Sequence, residues 1–145
     1  MENILKVKIP ATLKNQGLAR AISAAYAAEF DPTVDEMSEI KTAVSEAFSN
    51  AVIHGYRHDS TKDVELEMGY ISADTVLIKV KDKGQGIENI AKAMEPLFST
   101  DTSEERTGMG FTVMESFMDR VKVDSKVGEG TTVTLLKKLD TYCEA

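Results

Sequence analysis

The chain has 145 residues, enough for one domain with a real core and too few for two of ordinary size, so residues 1–145 are expected to fold as a single unit. Hydrophobic residues make up 42% and charged residues 28%, with nine Gly and three Pro, which excludes a disordered or fibrous chain. A formal net charge of −7 repels nucleic-acid phosphates and anionic lipids, which argues against direct DNA binding and against a membrane surface. The one cysteine, Cys143, permits no internal disulfide or thiolate cluster and fits a reducing cytoplasm. Met1 to Lys6 lacks a signal-length apolar run, and nowhere do about 18 apolar residues follow one another.

In chain order, Ile4, Val7 and Ile9 alternate with Lys6 and Lys8 before Pro10 stops the ladder, which predicts a first strand at a sheet edge. Leu18, Ile22, Ala25, Tyr26 and Phe30 recur at helical spacing between Thr12 and Phe30, and Asp31-Pro32 ends that run. A second helix starts near Thr33 with Asp35 and Glu36 in its first turn, carries Met37, Ile40, Val44, Ala47, Phe48 and Ala51 as its stripe, and is punctuated by Gly55. Strands over 64–68 and 76–80 read as a hairpin around Ser72-Ala73-Asp74. A Gly-containing loop, a short helical piece at Ile90 to Met94 and a polar, mobile stretch from Ser99 to Thr107 lead to a helix over Gly110 to Met118. Strands over 121–123 and 131–135 flank the turn Gly128-Glu129-Gly130. The expected architecture is α+β: a two-layer sandwich with a mixed, mostly antiparallel sheet covered on one face by helices.

Three groups of residues carry possible chemistry. Glu46, Asn50 and His54 recur every four residues and form one polar row beside the apolar stripe of the second helix. An Asn oxygen can ligate Mg²⁺ and a Glu one turn away can accept a proton, although a solvated Glu-Asn face explains the spacing equally. Asp82-Lys83-Gly84-Gln85-Gly86 follows an apolar strand in which Asp82 shares the core-side parity of Val76, Ile78 and Val80. A carboxylate there needs a hydrogen-bonding partner, for which an adenine amino group would serve, and Gly84 and Gly86 allow close backbone approach; a plain hairpin turn is the simpler alternative. Arg106-Thr107-Gly108-Met109-Gly110 opens a helix, where free N–H groups and the helix dipole favour an anion, or where glycines serve structure alone.

Taken together, Glu-x-x-x-Asn, Asp-x-Gly-x-Gly and Gly-x-Gly in this order resemble the N, G1 and G2 boxes of the ATPase superfamily that contains gyrase, Hsp90 and histidine kinases. The segments Pro32 to Glu36, Glu39 to Thr42, Asn50 to Tyr56, Pro96-Leu97-Phe98 and Gly108 to Glu115 narrow the resemblance to the bacterial anti-sigma-F factors over nearly the entire chain. The resemblance implies a Bergerat-type ATP-binding fold, a homodimer, and a spore-forming bacterium as source. It implies Glu46 as general base toward a partner's serine, Asn50 as Mg²⁺ ligand and Asp82 as reader of adenine. Gly84 and Gly86 would line the nucleotide pocket, Ser99 to Thr107 would form an ATP lid, and Arg106, Thr107, Gly108, Met109 and Gly110 would meet the phosphates. Arg20 matches a family position that contacts protein partners, and Ser49 lies beside the catalytic row where a bound partner would pass and touch it. The lid residues Asp101 to Glu105 and the loop residues Lys83 and Gln85 depart from the family pattern.

The function this implies is regulation of transcription during sporulation. The chain would inhibit sigma factor F and, using Mg·ATP with ADP as product, phosphorylate a serine of an anti-anti-sigma factor. Alternatives are a general-stress-type anti-sigma kinase, a nucleotide-gated sigma-binding module without kinase activity, and a histidine-kinase catalytic module. The last would need a phosphoacceptor helix pair, which neither His54 nor His58 supplies.

Overall fold

The computed structural model describes residues 1–94 and 110–140. The expected lid over Ser99 to Thr107, the phosphate-loop residues Arg106, Thr107, Gly108 and Met109, the segment Pro96 to Phe98, and Cys143 lie outside the described residues.

Strand β1 (Glu2–Pro10) is followed by helix α1 (Gln16–Ala27), helix α2 (Val34–Asn50), the hairpin β2 (Asp63–Ser72) and β3 (Thr75–Asp82), a single turn α3 (Ile90–Ala93), helix α4 (Gly110–Phe117), and the hairpin β4 (Arg120–Lys126) and β5 (Gly130–Lys138). The sheet runs β1-β2-β3-β5-β4. All four pairings among the described residues are antiparallel, so the sheet anticipated as mixed has no parallel member there. The cause is the last hairpin, which inserts β5 between β3 and its own partner β4. β1 is an edge strand, with Pro10 opposite Asp63 at the end of the ladder where the missing N–H costs least.

Helix α2 starts on a reciprocal cap. The Glu36 amide donates to Thr33 Oγ1 at 3.0 Å, and the Thr33 amide donates to Glu36 Oε1 at 2.9 Å. Its stripe of Ile40, Val44, Ala47 and Phe48 is buried on the sheet residues Leu66, Met68, Ile78 and Leu135, with Phe111 and Met114 of α4 completing the core. Side chains of this size each contribute about 1.5–3 kcal/mol on full burial. In α1 the buried line differs from the expected stripe. Ala19, Ser23 and Ala27 are buried, Ile22, Tyr26 and Phe30 are half-buried, and Leu18 and Ala25 are exposed. Small side chains let α1 lie close on α2, a pattern that counting large apolar residues overlooks.

One buried lysine aims α4. Lys137 occupies an inward position of β5, where its Nζ donates to Glu39 Oε1 of α2 at 2.7 Å and to the Phe117 carbonyl at 2.6 Å. The ammonium thus satisfies a C-terminal carbonyl of α4 and complements the negative end of its dipole. With its far end tied to α2, α4 presents Gly110 toward the polar row of α2.

On the uncovered face of the sheet, Glu67 is buried and accepts from Lys81 Nζ at 2.7 Å across the β2–β3 pair. That hydrogen bond holds the Glu67 carboxyl below the usual carboxylate range. A depressed folded pKa means that the stability from Glu67 is present above its unfolded value and is lost as pH falls through the folded one. Lys81→Met is therefore expected to destabilise the fold by about 1–2 kcal/mol at neutral pH, with the difference shrinking in acid. Urea unfolding followed by circular dichroism at both pH values checks this, and an undiminished difference in acid would contradict it.

Candidate functional site

Beyond Asn50, α2 does not stop but widens into a π-helical turn, Ala51–Gly55, in which the Tyr56 amide donates to the Ala51 carbonyl at 2.9 Å. The chain then reverses through Arg57 and His58, both at positive φ (51° and 65°), with the His58 amide returning to the Val52 carbonyl at 2.8 Å. The wide turn carries Gly55 onto the end of β3. A Cβ built on Gly55 would lie 2.7 Å from both Cγ and Oδ1 of Asp82, so no larger residue fits without displacing that carboxyl group.

Asp82 retains the inward parity of Val76, Ile78 and Val80, and it is 8% exposed. The Gly84 amide donates to Asp82 Oδ1 at 2.9 Å, and the Thr131 amide, directly across the β3–β5 pair, also donates to the carboxyl group. Burial nevertheless dominates and pushes Asp82 up to about 6, the two backbone hydrogen bonds offsetting part of the shift.

The loop after Asp82 is held by close backbone approach. A Cβ on Gly84 would fall 2.0 Å from the Gly55 carbonyl oxygen, and one on Gly86, at φ +79°, would fall 2.3 Å from the Lys126 carbonyl oxygen. Gln85 makes four bonds around them. Its amide donates to the Gly55 carbonyl (3.0 Å), its carbonyl accepts from Gly128 (2.8 Å), its Nε2 donates to the His54 carbonyl (2.7 Å), and its Oε1 accepts from Arg57 Nε (3.1 Å). Tyr56 braces the start of the loop by accepting from the Lys83 amide at 2.7 Å while donating to the Asp63 carbonyl at 2.8 Å.

These segments enclose a cavity of about 650 Å³. Asp82, Gly86 and Thr131 line one part of it, Asn50, Gly110 and Phe111 another, and Ile87, Val80, Val127 and Val133 supply apolar wall. A cavity of this size, with an apolar wall and polar or charged side chains that include Asn50, Asp82, Glu88, Asn89 and Lys92, suits a polar small-molecule ligand with an apolar part. Asn50 and Glu46 meet at the start of α4: a Cβ on Gly110 would sit 3.0 Å from Asn50 Nδ2 and 3.3 Å from Glu46 Oε1. Glu46 is not part of the cavity lining but stands beside it. His54, third in the polar row, lines the same cavity.

Two expected placements are corrected. Gly84 does not line the cavity; it packs against Gly55, and its amide holds Asp82. Ser49 is fully buried, its hydroxyl donating to the Glu46 carbonyl at 3.1 Å, because α2 turns that face inward, so a partner has no surface to touch there. Arg20 is half-buried, and its Nη1 donates to Ser45 Oγ at 3.0 Å, next in sequence to Glu46. The sequence reading missed Thr131 and the role of Gly55. Thr131 was detectable as the polar inward residue of β5 preceding Val133 and Leu135.

A raised folded pKa makes Asp82 favour the fold fully below its unfolded value of 3.8, a contribution lost as pH rises through about 6. The stability of Asp82→Asn relative to the native chain is accordingly expected to improve between about pH 4 and pH 6.5, by at most about 3 kcal/mol. Denaturant midpoints across this range test it; a difference that does not change with pH would show that Asp82 is not titrating there.

Comparison with known proteins agrees with this geometry. The family described as the histidine kinase-like ATPase domain matches residues 9–137. The anti-sigma F factor of Anoxybacillus flavithermus is 49% identical over 139 residues, covering 96% of this chain and 94% of the relative. That of Clostridium perfringens strain SM101 is 46% identical over 141 residues, covering 97% and 100%. Among solved structures, the RsbU and RsbW domains of Rv1364c from Mycobacterium tuberculosis superpose with a TM-score of 0.68 at 23% identity, over 94% of this chain and 32% of that one. Full-length ShkA in complex with AMPPNP superposes at 0.61 and 18% identity, over 94% and 32%. The chain belongs to the histidine kinase-like ATPase domain family and, within it, to the anti-sigma F factors.

Proposed function

We propose that the cavity binds ATP and that the chain transfers the γ-phosphoryl group to a serine of an anti-anti-sigma protein while also binding sporulation sigma factor F. The carrying observation is that one cavity joins a buried carboxylate, Asp82, to Asn50 beside the start of α4, with Glu46 standing next to the cavity there. Asp82 would accept from the adenine amino group, which supplies the partner its burial calls for. A guanine carbonyl at that place would instead meet the carboxylate oxygens. The phosphates would lie toward Gly110 at the N-terminus of α4, where a Cβ would crowd the Asn50 side chain. Arg106, Thr107, Gly108 and Met109 are proposed to extend that phosphate contact.

No group of three or more His, Cys, Asp or Glu side chains is placed to hold a metal ion among the described residues. Mg²⁺ needs few protein ligands where phosphate oxygens are available, and Asn50 Oδ1 would hold it. When bound it supplies positive charge to the phosphate oxygens. Glu46 would orient the serine hydroxyl and take its proton as the oxygen bonds to the γ-phosphorus and the bond to ADP breaks. The phosphoserine product carries about −2 charge, which weakens its hold on an acidic chain and frees the kinase for its sigma factor.

Partner recognition would start at Arg20, which lies on α1 one hydrogen bond from the residue preceding Glu46. A homodimer through the β1 edge and α1 is supported by Ile4, Leu5 and Leu18, large apolar side chains left exposed there. The cytoplasm is the proposed place of action; no helix among the described residues is long and apolar enough to cross a membrane.

Incubation with γ-labelled ATP, Mg²⁺ and a candidate anti-anti-sigma protein tests the reading. Label is expected on a partner serine, and Glu46→Ala is expected to lower the transfer rate by about 10²-fold or more without loss of ATP binding. Transfer at a near-native rate in that variant would remove Glu46 from the role of base. ATP binding with no transfer at all would leave a nucleotide-gated sigma-binding module. Binding measured against sigma factor F and against a general-stress sigma factor separates the two anti-sigma classes.

A further inference from the structure

The charge of this chain is divided between its two faces. Strand parity turns Lys6 and Lys8 of β1, Lys79 and Lys81 of β3, Arg120, Lys122 and Lys126 of β4, and Lys138 of β5 onto the face of the sheet that no helix covers. Asp63, Glu65, Glu67 and Asp124 on the strands answer them there. That face holds 8 of the 17 basic side chains and 4 of the 24 acidic ones, leaving 9 basic and 20 acidic for the rest of the chain. A surface that is merely solvated mixes both signs, whereas here an acidic protein carries one strongly basic face.

The register orders these charges. One row across the sheet reads Lys8, Glu65, Lys81, Thr132, Asp124, and the next reads Lys6, Glu67, Lys79, Thr134, Lys122. Lys81 is committed to Glu67 (2.7 Å) and Glu65 (3.7 Å), and Lys122 and Lys126 form exposed pairs with Asp124 (3.9 Å) and Glu129 (3.5 Å), so the surplus lies mainly with Lys6, Lys8, Lys79, Arg120 and Lys138. Thr132 and Thr134 set hydroxyl groups between them. At the Pro10 end of the face the sheet borders a concavity of about 790 Å³, where Lys8, Lys62, Lys81, Lys83 and Lys126 alternate with the carboxyl groups of Asp63, Glu65, Asp82, Asp124 and Glu129, so the basic surplus lies on the strands and not in the concavity. Asp82 and Thr131 border both this concavity and the cavity on the helical side.

We propose that the open face of the sheet is a docking surface for an acidic polypeptide segment. Charge complementarity selects the occupant. A nucleic acid presents an unbroken line of phosphates, which Asp63, Glu65, Glu67 and Asp124 would interrupt. A peptide can place its carboxylates on the lysines and its amides on the glutamates and threonines. A segment bound in the concavity would touch the strand ends that carry Asp82 and Thr131, and so reach the cavity wall from behind.

The test uses the full chain without nucleotide, so that failure of the phosphotransfer reading does not affect it. A fluorescent peptide of about eight glutamates spans, when extended at ~3.3 Å per residue, the ~19 Å across five strands. Its anisotropy is expected to rise on titration with the protein, more at low salt than at high salt. Lys8→Glu/Lys79→Glu/Lys122→Glu is expected to weaken binding at least about tenfold. Glutamines at the same three positions, checked by circular dichroism, are expected to weaken it less and guard against misfolding. An oligothymidylate of equal charge serves as the nucleic-acid control. The proposal is overturned if the peptide does not bind, if both triple variants bind it like the native chain, or if the oligothymidylate binds as tightly. It is equally overturned if sedimentation at low salt shows copies of the chain associating through this face and displacing the peptide.

Discussion

A carboxylate facing the interior costs free energy to keep, and most of the irregular backbone in this fold is arranged around the one at Asp82. The Gly84 and Thr131 amides donate to it, Gly55 lies against its carboxyl carbon, and Gly130, at φ +118°, packs on its carbonyl. The π-helical turn at the end of α2 delivers Gly55, and the four bonds of Gln85 fix the loop that follows. These features give local regularity away at one place, where a ligand able to donate to the carboxylate restores what burial removes.

The other end of the cavity depends on long-range packing. Glu46 and Asn50 share a helical face, and Gly110 brings the start of α4 against both of them. That placement is secured more than one turn away, by Lys137 bridging Glu39 and the last turn of α4, and by Asp119 accepting from the Lys138 amide at 2.7 Å. A second tie runs from the Asp140 amide to Glu36 Oε2 at 2.6 Å, so the side chain that closes the N-terminal cap of α2 also anchors the end of β5. The same helix thereby organises the core, carries the polar row and fixes the position of α4.

Much of this was readable in advance because it follows from short periods. Alternation placed Asp82 inward, the break at Pro10 put β1 at an edge, and helical spacing set Glu46 beside Asn50. The buried line of α1 was misplaced because Ala19, Ser23 and Ala27 are selected for closeness to α2, which a count of large apolar residues does not register. The burial of Ser49 escaped for a related reason, since a hydroxyl that donates to its own helix can face the core. Nothing in the local sequence marks the widening of α2 at Ala51–Gly55, because a π-helical turn is stabilised by what it packs against, here Asp82. Thr131 becomes part of the site only through the β3–β5 register, which pairs residues 49 positions apart.

The central claim is that Asp82 reads the adenine end of a nucleotide. Its carboxyl carbon, followed by NMR through a pH titration with and without nucleotide, reports on that directly. With ATP bound the Asp82 pKa is expected to fall well below the value of about 6 that burial gives it, because the adenine amino group favours the charged form. GTP is expected to leave it unchanged. An Asp82 titration that saturating ATP does not move would contradict the assignment.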